Sequence, residues 1–549
     1  MKIRSTDIED HALLGDLETA ALVGRDGSVD WLCLPRFDSP AAFAALHGGP
    51  GRGFWRLAPR DADECAYRAY RADTLVLDTV WETPDGAVRI TDFMPPRATR
   101  PCLVRRVEGM RGAVPVRGVL RLRFHHGRIV PWLRQVGPCT VAVAGPDAVW
   151  ARIDGPGSET LDPATGTSTV DVTVTAGQSC AVTLVWAPSH LTEPPAELAV
   201  PAQTLLKETV EFWRRWAARC TYEGPWRPAV IRSLLTWKAL THAPTGAVLS
   251  APTAWIPYGP GGEPGGDGRV CRLDGLGQGL ATLLRCGLRA EATAWVEWLL
   301  RTVAGDPAAL RSTYGIAGER GLLGPEPPRL DAYGEVLDAL HLALRARLPV
   351  VRLGSGRLAA ELTRAVEGAW REEGPGVSVR ADVLAWAALD RGERIARLLG
   401  GPGATEPGLR AALRHRVESG EAHGLPDPAH LLLPRLGLLP ATHPRVRAAL
   451  DGLPRQPAPR VADALLRARV LAGAGREAEA AAVFARVLDA RDDVGLLAER
   501  WDPRTGDRLG DAPATASHLA LVDTALALTP RVRPAQHATA DRSTIPESP

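Results

Sequence analysis

In the stretch VGLLAERWDPRTGDRLG, Val494 to Gly510, the apolar run Val494 to Ala498 is followed by Glu499 and then by a turn-forming run with Asp502, Pro503 and Gly506. A buried element that breaks into a turn delivers one polar side chain to the rim of a cavity. A carboxylate placed there is suited to proton transfer. The same spacing also fits a helix-end or loop glutamate with no chemical duty. Other chemistries find less support. The eight cysteines are widely scattered, with no CxxC pair and no histidine at ligand spacing, which argues against a zinc site and fits free thiols. The glycines of Gly259 to Gly268 do not follow a strand and open a helix in GxGxxG spacing, so they do not read as a nucleotide loop. His125 and His126 sit in strand-like context, where surface or core roles are commoner than metal binding.

The elements that must carry Glu499 divide the chain in two. Up to about residue 200 the pattern is that of short strands. Asp26-Gly27 stands between apolar runs in Ala20 to Leu34, and Asp85-Gly86 does so in Leu75 to Phe93, both hairpin signals. Leu120 to Phe124 and Val170 to Val174 alternate with period two. Many short strands with turns between them predict an antiparallel β-sandwich. From about Leu205 the period becomes helical, with Val210, Trp213, Trp216 and Ala217 on one stripe and Val230, Leu234 and Leu235 on the next after Gly224-Pro225. Further stripes include Leu276 to Leu284, Val336 to Leu340, Val383 to Ala387, Leu465 to Leu471 and Val522 to Leu526, separated by Gly/Pro loops such as Gly259 to Gly268 and Gly321 to Arg329. A run of antiparallel helices of this length can close into a helical toroid. The predicted organisation is a β-sandwich over 1–200, a linker helix over 201–225, a barrel of paired helices over 226–530 and a disordered tail over 531–549.

At 549 residues the chain exceeds one ordinary hydrophobic core, in keeping with two domains. Its net charge of +2 is near neutral and its arginines are spread, so neither nucleic acid nor an anionic membrane is an expected partner. Lysine appears only at Lys2, Lys207 and Lys238. The N-terminus has no apolar core of signal-peptide length, and no stretch approaches 18 uninterrupted apolar residues; a cytoplasmic location is the expectation.

Four blocks carry a resemblance: IEDHALLGDLETAALVGRDGSVDWLCLPRFDSP, YEGPWRPAVIRSLLTWKALTHAPTGAVLSAPT, LDAYGEVLDALHLA and RDDVGLLAERWDPRTGDRLGDAP. They resemble the bacterial branch of glycoside hydrolase family 15, the glucoamylase-like and trehalase-like enzymes, and they fall in family order over nearly the whole chain. The resemblance implies an N-terminal β-sandwich followed by an (α/α)6 barrel, and inverting hydrolysis of an α-glucoside such as trehalose or a maltooligosaccharide. In that chemistry one carboxylic acid protonates the glycosidic oxygen while a carboxylate roughly 6.5–9.5 Å away deprotonates water. Glu499 falls on the general-base position. Glu335, in DAYGEVLDA, is the match for the acid; as a glutamate expected in a first helical turn, it could equally be there for the helix dipole. No cofactor is needed, since acid and base side chains suffice.

The chain also departs from the family. Members carry a Trp-Leu-Arg-Asp stretch whose Arg and Asp bond the innermost sugar. Here the corresponding part is GGEPGGDGRVCRLDGLG, Gly261 to Gly277, with Asp274 at the Arg position and Gly275 at the Asp position. The loop between Gly318 and Asp331 is short, VSVRAD (Val377 to Asp382) replaces a histidine-containing block, and Ala512 and Ala516 stand where aromatics are usual. Each change removes a polar or stacking group from the sugar pocket. Asp274 is a candidate relocated substrate ligand, and Trp255 and Trp501 are candidate stacking residues, although core packing would also account for both. Two readings therefore stand: an α-glucoside hydrolase, or a relative that keeps the fold as a carbohydrate-binding, regulatory or interaction module without turnover. The oligomeric state is not legible in the sequence.

Overall fold

The computed structural model describes residues 8–256, 265–305, 310–321, 330–349, 354–373, 378–401, 407–419, 426–453 and 457–529. Most of the expected loops at Gly259 to Gly268 and Gly321 to Arg329, together with Val377 and the expected tail 531–549, lie outside the described residues.

From His11 to Pro188 the chain forms fifteen strands, all paired antiparallel. Both expected hairpins are present. Ala20–Gly24 pairs with Ser28–Cys33, and the turn needs Gly27, whose φ is 79° and whose hypothetical Cβ would stand 2.4 Å from the Leu57 carbonyl oxygen. Leu77–Thr83 pairs with Gly86–Phe93 across Pro84-Asp85. Thr167–Thr175 alternates between buried and open positions from Val170 onward, as period two requires. The twenty-residue strand Cys102–Arg121 joins two layers. Its first half pairs with Gly86–Phe93 and Ser179–Pro188, its second half with Phe54–Pro59 and Thr167–Thr175. Trp81, Val88, Val107, Val114 and Val174 fill the space between the layers. The alternation at Leu120 to Phe124 is interrupted: the strand ends at Arg121, and His125 and His126 take left-handed backbone angles in a turn rather than extended ones.

After the helix Ala202–Ala217 the chain is predominantly helical. Among the described residues six elements form an inner ring, each packed on the next: Leu276–Arg285, Leu330–Arg345, Val379–Leu398, Pro428–Leu436, Val461–Gly473 and Thr515–Leu528. The sixth packs on the first, closing the ring. Outer helices pack against them, among them Arg289–Val303, Ser355–Glu373, Pro407–Ser419, Pro444–Gly452, Glu477–Asp489 and Arg227–Ala239. This is the (α/α)6 architecture. Close approach within it depends on small residues. A Cβ at Gly277 would sit 2.3 Å from Asp338 Oδ2, and one at Gly279 would sit 2.7 Å from the Trp295 ring.

The strand layers brace the helical part. Trp31 Nε1 donates to the Pro252 carbonyl at 2.8 Å, and Arg232 reaches the Thr74 carbonyl at 2.9 Å. The fully buried guanidinium of Arg68 grips Asp493 with two 2.9 Å hydrogen bonds, six residues before Glu499. One large hydrophobic cluster runs through both parts. All eight cysteines are free thiols. Among the described residues no helix is long and apolar enough to cross a membrane.

Candidate active site

The helical ring surrounds a cavity of about 230 Å³, and every inner element contributes to its wall, with Gln278, Glu335, Arg380, Arg435, Asp463 and Ala520 as representatives in ring order. Loops add Asp267, Asp274, Glu499 and Asp511. The volume falls below the ~300–1,000 Å³ common for drug-sized ligands.

Glu499 stands just ahead of the short hairpin formed by Arg500–Trp501 and Arg508–Leu509, and its main chain is tied on every side. Its N–H donates to the Asp511 carbonyl at 2.8 Å, and its carbonyl accepts from Val461 N–H at 2.9 Å. The two preceding residues are held by the closing helix: Ser517 Oγ donates to the Ala498 carbonyl at 2.8 Å, and His518 Nε2 accepts from Leu497 N–H at 3.1 Å. That bond fixes His518 as the neutral tautomer with its proton on Nδ1, directed at Ser233 Oγ 3.0 Å away. Burial holds the imidazole down at about 3, with Arg232 and Arg491 acting in the same direction. The Glu499 side chain is 20% exposed, and Arg460 Nε lies 3.4 Å from Oε1.

Glu335 has a different setting. The described helix starts at Leu330, so Glu335 lies in its second turn and not in the first, where a helix-dipole role was an option. It is 2% exposed. Arg380 Nη2 lies 3.6 Å from Oε1 and Arg435 Nη2 3.8 Å from Oε2, yet Oε2 accepts no hydrogen bond. Beneath it Asp338, one turn along, takes Arg391 at 2.9 Å and Arg435 at 3.0 Å. Burial raises the Glu335 carboxyl above its ordinary range; Arg435 and Arg380 oppose the rise, and Asp338 adds to it.

Asp274 also lines the cavity, and Arg272 Nε donates to its Oδ1 at 3.0 Å. Burial pushes this carboxyl up, but Arg272, with Arg460 and Arg380, more than cancels that and leaves it below the usual range. The sequence has no adjacent Arg-Asp pair here; in space Arg272 and Asp274, two residues apart, stand ion-paired on the wall.

The two tryptophans proposed for stacking are not brought to it. Left-handed backbone at Trp255 (φ 56°) turns its ring toward His47, His126 and Arg269, where it is 45% exposed. Trp501 is 8% exposed and belongs to the hydrophobic core. The aromatic that does line the cavity is Trp295, which reaches the wall past Gly279. A glycine one turn into an apolar stripe was the available sign of that approach. Asp511 was also missed, because an aspartate in a Gly-Asp-Ala-Pro run reads as turn chemistry. Burial pushes its carboxyl up to about 7, against the hydrogen bond from Thr253, and Glu499 and Asp267 add to the rise. Among the described residues no group of His, Cys, Asp and Glu could hold a metal ion.

Comparison with known proteins agrees with this architecture. Residues 2–130 match the family model described as trehalase-like, N-terminal. The chain is 27% identical to a trehalase of Mycolicibacterium smegmatis, with 94% of this chain and 90% of that protein covered. It is 24% identical to a trehalase of Thermoplasma volcanium, over 94% of this chain and 92% of that protein. Among solved structures it is similar to a bacterial glucoamylase complexed with acarbose, at a TM-score of 0.69 and 12% identity, with 96% of this chain and 94% of that chain covered. Along nearly its whole length the chain is thus similar to trehalases, and it shares its fold with a bacterial glucoamylase.

Proposed function

We propose that the cavity hydrolyses an α-glucosidic bond with inversion. Glu335 gives a proton to the departing glycosidic oxygen, while Glu499 takes one from a water that attacks the anomeric carbon from the other face. The observation that carries this reading is that the ring brings both carboxylates to one cavity in opposite settings. One is buried with its pKa raised, as an acid must be to hold its proton, and one is open to water beside an arginine. The substrate class is an α-linked glucoside, trehalose or a maltooligosaccharide; the trehalase names of the relatives favour trehalose. Asp274, held by Arg272, serves as a ligand to sugar hydroxyls, and Trp295 gives one wall an aromatic face. No cofactor enters the reaction.

The two guanidiniums beside Glu335 favour a second reading, in which they hold it as an anion and the cavity binds sugar without turnover. Glucose release from trehalose and from maltose by the purified chain decides between them. Glu499→Gln is expected to lower that release by roughly 10²- to 10⁴-fold; binding of sugar without release would establish the second reading.

A further inference from the structure

We propose that Asp511 is a positioning residue for this hydrolysis: fastened by Thr253 at the foot of the Glu499 hairpin, it holds the attacking water against Glu499. The assignment rests on the hydrolase reading. The hairpin brings the two acidic residues together, since Glu499 N–H donates to the Asp511 carbonyl at 2.8 Å and both side chains line the cavity. Thr253, fully buried, donates from Oγ1 to Asp511 Oδ1 at 2.9 Å and so fixes the carboxyl plane. Oδ2 lies against Gly268, where a hypothetical Cβ would come within 2.6 Å. Only glycine leaves that oxygen its place.

The charged groups facing Asp511 are Glu499 from the hairpin, Asp267 from the loop beside Gly268, and Arg272 from the strand Cys271–Arg272. Burial above all, and then two anions against one cation, favour a neutral carboxyl, in keeping with a pKa pushed up to about 7. Below that pH Oδ2 carries a hydrogen that a water can accept while it donates to Glu499. In the step itself a water O–H bond breaks and its proton goes to Glu499. The oxygen bonds the anomeric carbon, the glycosidic bond breaks, and the departing oxygen takes the proton of Glu335. Asp511 keeps its own proton throughout.

The test is kcat and KM against pH on an α-glucoside the wild type hydrolyses, for wild type, Asp511→Ala and Asp511→Asn. Asp511→Ala lowers kcat about 100-fold with KM nearly unchanged. Asp511→Asn, whose amide donates a hydrogen bond at every pH, recovers most of that loss and removes the decline of kcat above about pH 7. Thermal unfolding supplies a readout independent of turnover. Wild type loses stability relative to Asp511→Asn as pH rises from 5 to 8, because the folded carboxyl binds its proton more tightly than the unfolded one. Wild-type activity with unchanged profiles in both variants, or an alanine variant that the asparagine variant does not exceed, overturns the assignment and leaves the hydrolase reading intact. Absence of sugar release from every α-glucoside removes the hydrolase reading and the positioning role with it.

Discussion

The two sides of the cavity hold their carboxylates by opposite means. On the Glu499 side the main chain is immobilised by hydrogen bonds donated by Val461 and Ser517 and accepted by His518 and the Asp511 carbonyl, and the side chain is left partly open with Arg460 beside it. On the Glu335 side the helix supplies the position, and the side chain is sealed in a layer of Arg380, Arg435, Asp338 and Arg391. A group that must accept a proton keeps contact with water; a group that must hold one is kept from it. Under the proposed hydrolysis the contrast fits Glu499 as the base and Glu335 as the acid, roles that residue type alone, glutamate in both places, does not distinguish.

The sharpest way to break this comparison is to remove the need for an acid. On α-glucosyl fluoride, whose leaving group requires no protonation, Glu335→Gln is expected to work within about tenfold of wild type. Glu499→Gln stays down by roughly 10²- to 10⁴-fold. Equal losses in both variants would erase the division of labour. The next effect is on stability. Arg435→Met leaves Glu335 and Asp338 buried with a cation missing and is expected to cost about 3–5 kcal/mol in denaturant unfolding. Arg460→Met, whose pair with Glu499 is open to solvent, costs within about 1 kcal/mol. Similar costs would show that the two settings do not differ in burial.

The smallest effect concerns the clamp on the Glu499 loop. His518 stays neutral in the folded chain down to about pH 3, whereas its unfolded counterpart takes a proton below 6.5. The unfolded state therefore binds more protons between these values, and stability falls as pH drops through that window. His518→Ala flattens this part of the pH profile while costing about 1–3 kcal/mol at pH 7, because Leu497 N–H loses its acceptor. An unchanged slope would mean that the histidine is not the group responsible.

Much of this architecture was legible before any coordinates. Period two in Val170 to Val174 and the Asp-Gly turns at Gly27 and Gly86 are local signals, and local signals became hairpins. The break in apolar run at Glu499 marked a carboxylate at a cavity rim, and one is there. What the sequence concealed depends on ring closure. Arg272 and Asp274 look like a lost motif until the backbone turns both to one wall, and Trp295 looks like any apolar stripe residue until Gly279 lets it through. Trp255, a candidate for stacking, has a left-handed backbone angle, and its ring stands with His47, His126 and Arg269. Asp511 escaped notice because what makes it distinctive is the company of Glu499 and Asp267, which proximity along the chain does not convey.

Ring closure also has a consequence for biosynthesis. The helix Thr515–Leu528 both seals the circle against Leu276–Arg285 and clamps the Glu499 loop through Ser517 and His518. A ribosome delivers that helix only after every other wall segment has emerged. A nascent chain can therefore fold its strand layers early, but it stays inert toward sugar until synthesis has passed Leu528.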